Sequence, residues 1–85
     1  MAAITIYTRA WCSYCAAAKQ LLAKKSAAFT EVDIEREPSR RAEMIAKAGG
    51  RTTVPQIFIG ERHVGGCDDL YALERAGRLD PLLAA

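Results

Sequence analysis

Apolar and polar positions change period several times along the chain, and each change marks an element. Ile4-Thr5-Ile6-Tyr7-Thr8 is β-branched and aromatic, which predicts a first strand ending in the loop Arg9-Ala10-Trp11. From Ser13 to Lys25 helix formers take over: Cys15, Ala18, Leu21 and Leu22 recur on one face, and Lys19, Lys24 and Lys25 fall off it. Thr30, Val32 and Ile34 then alternate with Phe29, Glu31 and Asp33, the period of a second strand. A helical crossover of this length favours parallel pairing in a right-handed βαβ unit. Pro38 suits a first helical turn, Met44, Ile45 and Ala48 point that helix inward, and Gly49-Gly50 stops it. Gln56 to Ile59 and Arg62 to Val64 predict two short strands joined by a tight turn at Gly60-Glu61, with Gly65-Gly66 breaking the second. Asp68 is the expected N-cap of a last helix that carries Leu70, Leu73 and Ala76 inward and ends at Gly77. The expected order is βαβαββα, an α/β arrangement without repeats, linkers or low-complexity tracts.

Length and composition narrow this further. The 85 residues suffice for one domain, expected to span residues 1–85, and are too few for two. With 51% apolar and 26% charged residues, the chain can bury a modest core without cross-links. Its apolar runs fall well short of the ~20 residues of a membrane span, and the start Ala2 to Tyr7 lacks a basic leader and cleavage site, so a cytoplasmic location is expected. A net charge of +2 is too small to imply nucleic-acid binding. Arg36, Arg40 and Arg41 intermingle with Glu35, Glu37 and Glu43, as on a solvated helix face. Three cysteines, two of them separated by only two residues, argue against a stapled secreted framework and for a working thiol pair.

That pair is Cys12-Ser13-Tyr14-Cys15, at the junction of the first strand and first helix. A sulfur at a helix N-terminus faces unpaired backbone N–H groups and the positive end of the helix dipole, which favour thiolate over thiol. Cys12 is the expected nucleophile, its pKa lowered from ~8.5 into the range of about 3.5 to 7.5. Arg9 and Lys19 can add positive potential. Cys15, one turn inside, can reach the Cys12 sulfur while being less exposed, as a resolving thiol should be. The alternatives are two core cysteines or half of a zinc site, but a structural pair rarely occupies an exposed strand-to-helix turn. Further along, Pro55 in Thr53-Val54-Pro55 marks a strand start, a sheet edge or a cis bond.

Taken with Cys-x-x-Cys, Thr53-Val54-Pro55 resembles the thioredoxin superfamily, in which a cis-proline loop lies against the active-site cysteines. Gly65-Gly66-Cys67-Asp68-Asp69 narrows the resemblance to glutaredoxins, which the chain resembles from Ile4 through Leu83, most of all the small bacterial dithiol type. The resemblance implies a thioredoxin-like fold with a four-stranded mixed sheet flanked by helices. It also implies a glutathione groove: Arg9 and Tyr14 beside the cysteinyl sulfur and glycyl end, Thr53, Val54 and Pro55 along the tripeptide backbone, and Gly66, Cys67 and Asp68 at the γ-glutamyl end. Independently, paired glycines allow close backbone approach, N–H groups at a helix start can hold a carboxylate, and Asp68 can take an ammonium. Taken alone, Gly65-Gly66 and Asp68 would be only a turn and a cap.

The chain departs from the commonest family pattern in carrying Ser13 where proline is usual, which restores a backbone donor and frees φ. Trp11 to Cys15 match a variant whose members include holders of a two-iron two-sulfur cluster bridging two subunits. The implied function is glutathione-dependent reduction of glutathionylated proteins, mixed disulfides and protein disulfides, by a monomer. The alternative is a cluster-binding dimer with Cys12 and glutathione as ligands. A zinc site of Cys12, Cys15, His63 and Cys67 is weaker, because its spacing lacks paired ligands. Cys67 is expected to fill space in a tight loop, His63 to lie at the surface, and Trp11 to shield the site.

Overall fold

The protein is described here by a computed structural model covering residues 2–84. Strand β1 (Ile4–Thr8) leads into helix α1 (Ser13–Lys24), then β2 (Thr30–Asp33), α2 (Ser39–Lys47), β3 (Gln56–Ile59), β4 (Arg62–Gly65), α3 (Cys67–Arg75) and α4 (Leu79–Ala84). The sheet order is β2-β1-β3-β4. β1 runs parallel to β2 and antiparallel to β3, and β3 is antiparallel to β4, so the sheet is mixed as expected.

The period of two in β1 and β3 sorts side chains to two cores. Ile4, Ile6, Ile57 and Ile59 meet Ala18, Leu21 and Leu22 of α1, Leu70 of α3 and Leu79 and Leu83 of α4. On the opposite face Tyr7 and Phe58 meet Val32, Ile34, Met44 and Ala48. The two rings pack edge to face, with centroids 5.7 Å apart. Each fully buried aliphatic side chain contributes about 1.5–3 kcal/mol, and the central strands β1 and β3 collect this on both faces. A site at the C-terminal end of β1 therefore starts from a strand buried on both faces.

Three expectations are corrected. The helix that ends before Gly77 is not the last: a further helix, α4, follows, so the order is βαβαββαα. Leu79 and Leu83, one turn apart, dock on the first core, Pro81 needs no N–H in a first turn, and Lys25 ties Glu74 and Asp80 at 2.8 and 2.9 Å. Six residues with two buried positions are too few for a legible period. Second, Ala76 is exposed and caps α3 at its C-terminus, leaving Leu70 buried and Leu73 half-buried on the inner face. Third, Gly66 rather than Asp68 is the N-cap of α3, and Asp69 accepts the Gly66 N–H at 2.9 Å. Asp68 lies within the first turn.

Candidate active site

β1 ends at Thr8, and after Arg9-Ala10-Trp11 α1 starts with Cys12 as its N-cap. The Cys12 sulfur accepts the Cys15 N–H at 3.1 Å, while the Cys12 carbonyl takes the Ala16 N–H. No acidic residue occupies the first turn of α1, so the positive end of its dipole acts on the sulfur unopposed. Cys12 is half-buried, Cys15 is buried in the helix's inner face, and their Cα atoms are 5.2 Å apart, within the span of a disulfide. The two sulfurs are in contact.

Opposite lies the loop before β3. The Val54–Pro55 bond is cis, and the Val54 carbonyl oxygen is 4.0 Å from the Cys12 sulfur. From there a groove of about 410 Å³ runs to the start of α3, lined by Tyr14, Arg51, Thr53, Val54, Pro55, Gly66, Cys67, Asp68 and Asp69. Gly65 makes this closure possible. Its φ is +116°, and a Cβ there would meet Asp69 Cγ at 2.8 Å and Arg51 Nη1 at 2.9 Å.

The structure thus brings Tyr14, Thr53, Val54, Pro55, Gly66, Cys67 and Asp68 to one groove. Arg9 does not line it. It borders a separate recess of about 280 Å³ with Ile34, Arg41, Thr52, Thr53 and Val54, adjoining the groove through the last two. Sequence reasoning missed Arg51 and Asp69, which meet at 3.2 Å across the groove rim, and Arg41 beside Arg9. The signal for Asp69 was its place three residues after Gly66, where a carboxylate can reach back to the N-cap amide. That amide first, and Arg51 second, hold the Asp69 carboxyl below its ordinary pKa.

Other expectations change here. Trp11 shields nothing, since it is fully exposed with φ of +60°. Lys19 is paired with Glu31 at 3.0 Å, so its charge is largely balanced before it reaches the cysteines. His63 is half-buried rather than at the surface, and is hydrogen-bonded to Gln56. Burial, followed by the charge of Arg51, pushes its pKa down. Among the described residues no group of three or more His, Cys, Asp or Glu side chains is placed to hold a metal ion, which overturns the zinc arrangement. Cys67 is a free, buried thiol whose pKa is raised by burial and then by Asp68.

A Cys-x-x-Cys at a strand-to-helix turn, facing a cis-proline loop on a mixed sheet, defines the thioredoxin-like class of thiol–disulfide oxidoreductases. The family model for Glutaredoxin matches residues 4–64. The chain is 61% identical over 85 residues to a Glutaredoxin of Pseudomonas aeruginosa, covering all of both chains. It is 57% identical to Glutaredoxin 3 of Escherichia coli K12 over 83 residues, 98% of this chain and 99% of that one. Among solved structures, a buckwheat glutaredoxin–glutathione complex superposes with a TM-score of 0.87 at 30% identity, covering 95% of this chain and 76% of that one. The chain belongs to the glutaredoxin family, and its role is thiol–disulfide exchange.

Proposed function

We propose that the chain, acting as one domain, is a glutathione-dependent oxidoreductase that reduces glutathionylated proteins, mixed disulfides and protein disulfides through Cys12 and Cys15. The observation that carries this is the half-buried Cys12, whose sulfur accepts the Cys15 N–H and lies 4.0 Å from the carbonyl oxygen of Val54, a wall of the neighbouring groove. The Cys12 thiolate attacks the glutathione sulfur of a glutathionylated protein, and the protein leaves as a thiolate that takes up a proton. The thiolate of a second glutathione then attacks the Cys12-bound glutathione sulfur, releasing glutathione disulfide and restoring the Cys12 thiolate. With a protein disulfide, Cys12 forms a mixed disulfide, and the Cys15 thiolate attacks its Cys12 sulfur to expel the second protein thiolate. Two glutathiones reduce the resulting Cys12–Cys15 bond.

The groove supports a tripeptide. Val54 offers backbone N–H and C=O, and the first turn of α3 offers N–H groups to the γ-glutamyl carboxylate, with Asp68 at hand for its ammonium. Tyr14 flanks the sulfur, and Arg9 with Arg41 forms a basic recess next to Thr53 and Val54 that suits the glycyl carboxylate. The buckwheat relative's complex with glutathione agrees with this chemistry. Glutathione and disulfide-bearing or glutathionylated proteins are the proposed partners of a cytoplasmic monomer. No helix among the described residues is long and apolar enough to cross a membrane.

A second reading is favoured by Ser13 and by the partly exposed Cys12 beside a fully exposed Trp11. In it, Cys12 of each of two chains, with two glutathiones, would supply the four thiolates of a two-iron two-sulfur cluster that the dimer binds or carries. The deciding experiment measures turnover of a glutathionylated peptide in the presence of glutathione, NADPH and glutathione reductase. The absorbance and mass of protein purified under argon with glutathione are recorded alongside. Saturable turnover by a colourless monomer supports the enzyme. A coloured dimer without turnover supports the cluster reading and rejects the first.

A further inference from the structure

Gln56 carried no expected role, yet it is fully buried, at 0% exposure, in the first position of β3 and directly after Thr53-Val54-Pro55. Its amide is used at both ends. Nε2 donates to the Thr53 carbonyl at 2.9 Å and to Thr53 Oγ1 at 3.3 Å, while Oε1 lies 2.7 Å from His63 Nε2. A carbonyl can only accept, so the NH₂ end of Gln56 must face Thr53, and its oxygen must face His63. His63 must then carry a hydrogen on Nε2, which it does as one neutral tautomer and also when protonated. The imidazole is stacked on Phe58, with centroids 4.9 Å apart and planes at 26°. Among the described residues no buried side-chain nitrogen or oxygen is left without a partner, so this chain of contacts is complete.

A bulge sets it up. Phe58 pairs with His63, but Ile57 pairs with Gly65, so β4 holds one extra residue beside the groove loop. Gln56 and Phe58, two apart on β3, share the face that His63 covers. Residues 51–55 have no strand or helix of their own, so the amide of Gln56 supplies an anchor that the backbone ladder does not.

We propose that Gln56, oriented by His63, is a positioning residue that holds the Thr53–Val54 backbone beside the Cys12 sulfur, and that this grip sets the preference for disulfides carrying a tripeptide over those without one. The inference rests on the proposed glutathione groove. A glutathionyl group must pair with Val54 along its backbone, whereas a 2-mercaptoethanol adduct needs only the sulfur to reach Cys12. Loss of the Gln56 amide leaves Thr53 free to shift, which weakens the first kind of substrate and spares the second.

The test compares one peptide carrying either glutathione or 2-mercaptoethanol in mixed disulfide, with wild type, Gln56→Met, His63→Phe and the double variant. The pH profile of Cys12 alkylation by iodoacetamide and the urea midpoint are recorded for each. Gln56→Met should raise KM for the glutathionylated peptide about tenfold, the worth of one to two well-formed hydrogen bonds, with kcat less affected. His63→Phe keeps the stack and should raise it about threefold, and the double variant should match Gln56→Met because His63 acts through Gln56. Turnover of the 2-mercaptoethanol adduct should fall less than about twofold and the alkylation profile should stay in place. Unchanged selectivity in Gln56→Met overturns the inference, as does a loss shared equally by both substrates and tracking the urea midpoint. A wild type without any preference for the glutathionyl adduct overturns the groove reading itself, and the inference with it. If Gln56→Met does not fold, His63→Phe carries the same selectivity test.

Discussion

Two cysteines sit at two helix starts in this molecule, and they are chemically unlike. Cys12 caps α1, is half-buried, accepts an amide N–H at 3.1 Å, and has no acidic neighbour in the first turn. Cys67 occupies the first position of α3, is only 8% exposed, and is followed at once by Asp68 and Asp69. Its thiol is pushed above the ordinary value, first by burial and then by the Asp68 charge. A helix dipole is worth about 0.3–1 kcal/mol at an exposed site, so burial and adjacent carboxylates readily outweigh it. The position of a cysteine on a helix therefore does not make a thiolate; access and the charge of the first turn decide. At α3 the two carboxylates of the acidic turn line the groove, Asp69 held by the Gly66 N–H and Arg51.

The sharpest way to break this comparison is to exchange the sulfurs one at a time. Cys12→Ser should lower reduction of every disulfide by at least about a thousandfold, because the attacking atom is gone. Cys15→Ser should keep deglutathionylation and lose most reduction of intramolecular protein disulfides. Turnover surviving in Cys12→Ser would mean that Cys67 can act after all. Next in size is Asp68→Asn, which should raise KM for a glutathionylated peptide about tenfold by removing a charge-assisted contact. The same change should lower the Cys67 pKa only slightly, because burial is its larger cause, and iodoacetamide kinetics in a Cys12→Ser background would read this.

Asp69 offers a third, smaller effect. Asp69→Ala removes the acceptor of the Gly66 N–H and should cost about 1 kcal/mol in urea unfolding. The sign of its pH dependence follows from a carboxyl held below its ordinary pKa by Gly66 and Arg51. The contribution is present above the unfolded-state value and is lost as pH falls through the depressed folded-state value. Urea midpoints of wild type and Asp69→Ala should therefore converge on acidification, and a gap that persists would assign the loss to packing. Smallest of all, Cys67→Ser should change turnover by less than about threefold, with a stability cost of about 1 kcal/mol for a hydroxyl in a buried site. A loss comparable to Cys12→Ser would end the distinction between the two helix starts.

The legible part of this protein was local. The β-branched and aromatic run Ile4 to Thr8, the alternation of Phe29 to Ile34, the 3.6-residue period of Cys15, Ala18, Leu21 and Leu22, and the glycines at 49–50 and 60 report on how each segment meets its own nearest layer, and these placed seven elements and the cysteine pair at its strand-to-helix turn. Tertiary structure decided what depends on distant segments meeting. Arg51 and Asp69 are 18 residues apart and touch only because α3 starts beside the loop before β3. Gln56 and His63 meet because His63 pairs with Phe58, two residues along β3 from Gln56, and a one-residue shift in that pairing would send the imidazole to the opposite face. Whether Trp11 covered the site, whether Gly66 or Asp68 capped α3, and whether residues 79–84 formed a helix likewise turned on packing. Sequence period records the face that a residue presents, whereas partners across the groove are selected by register and by the space that other elements leave.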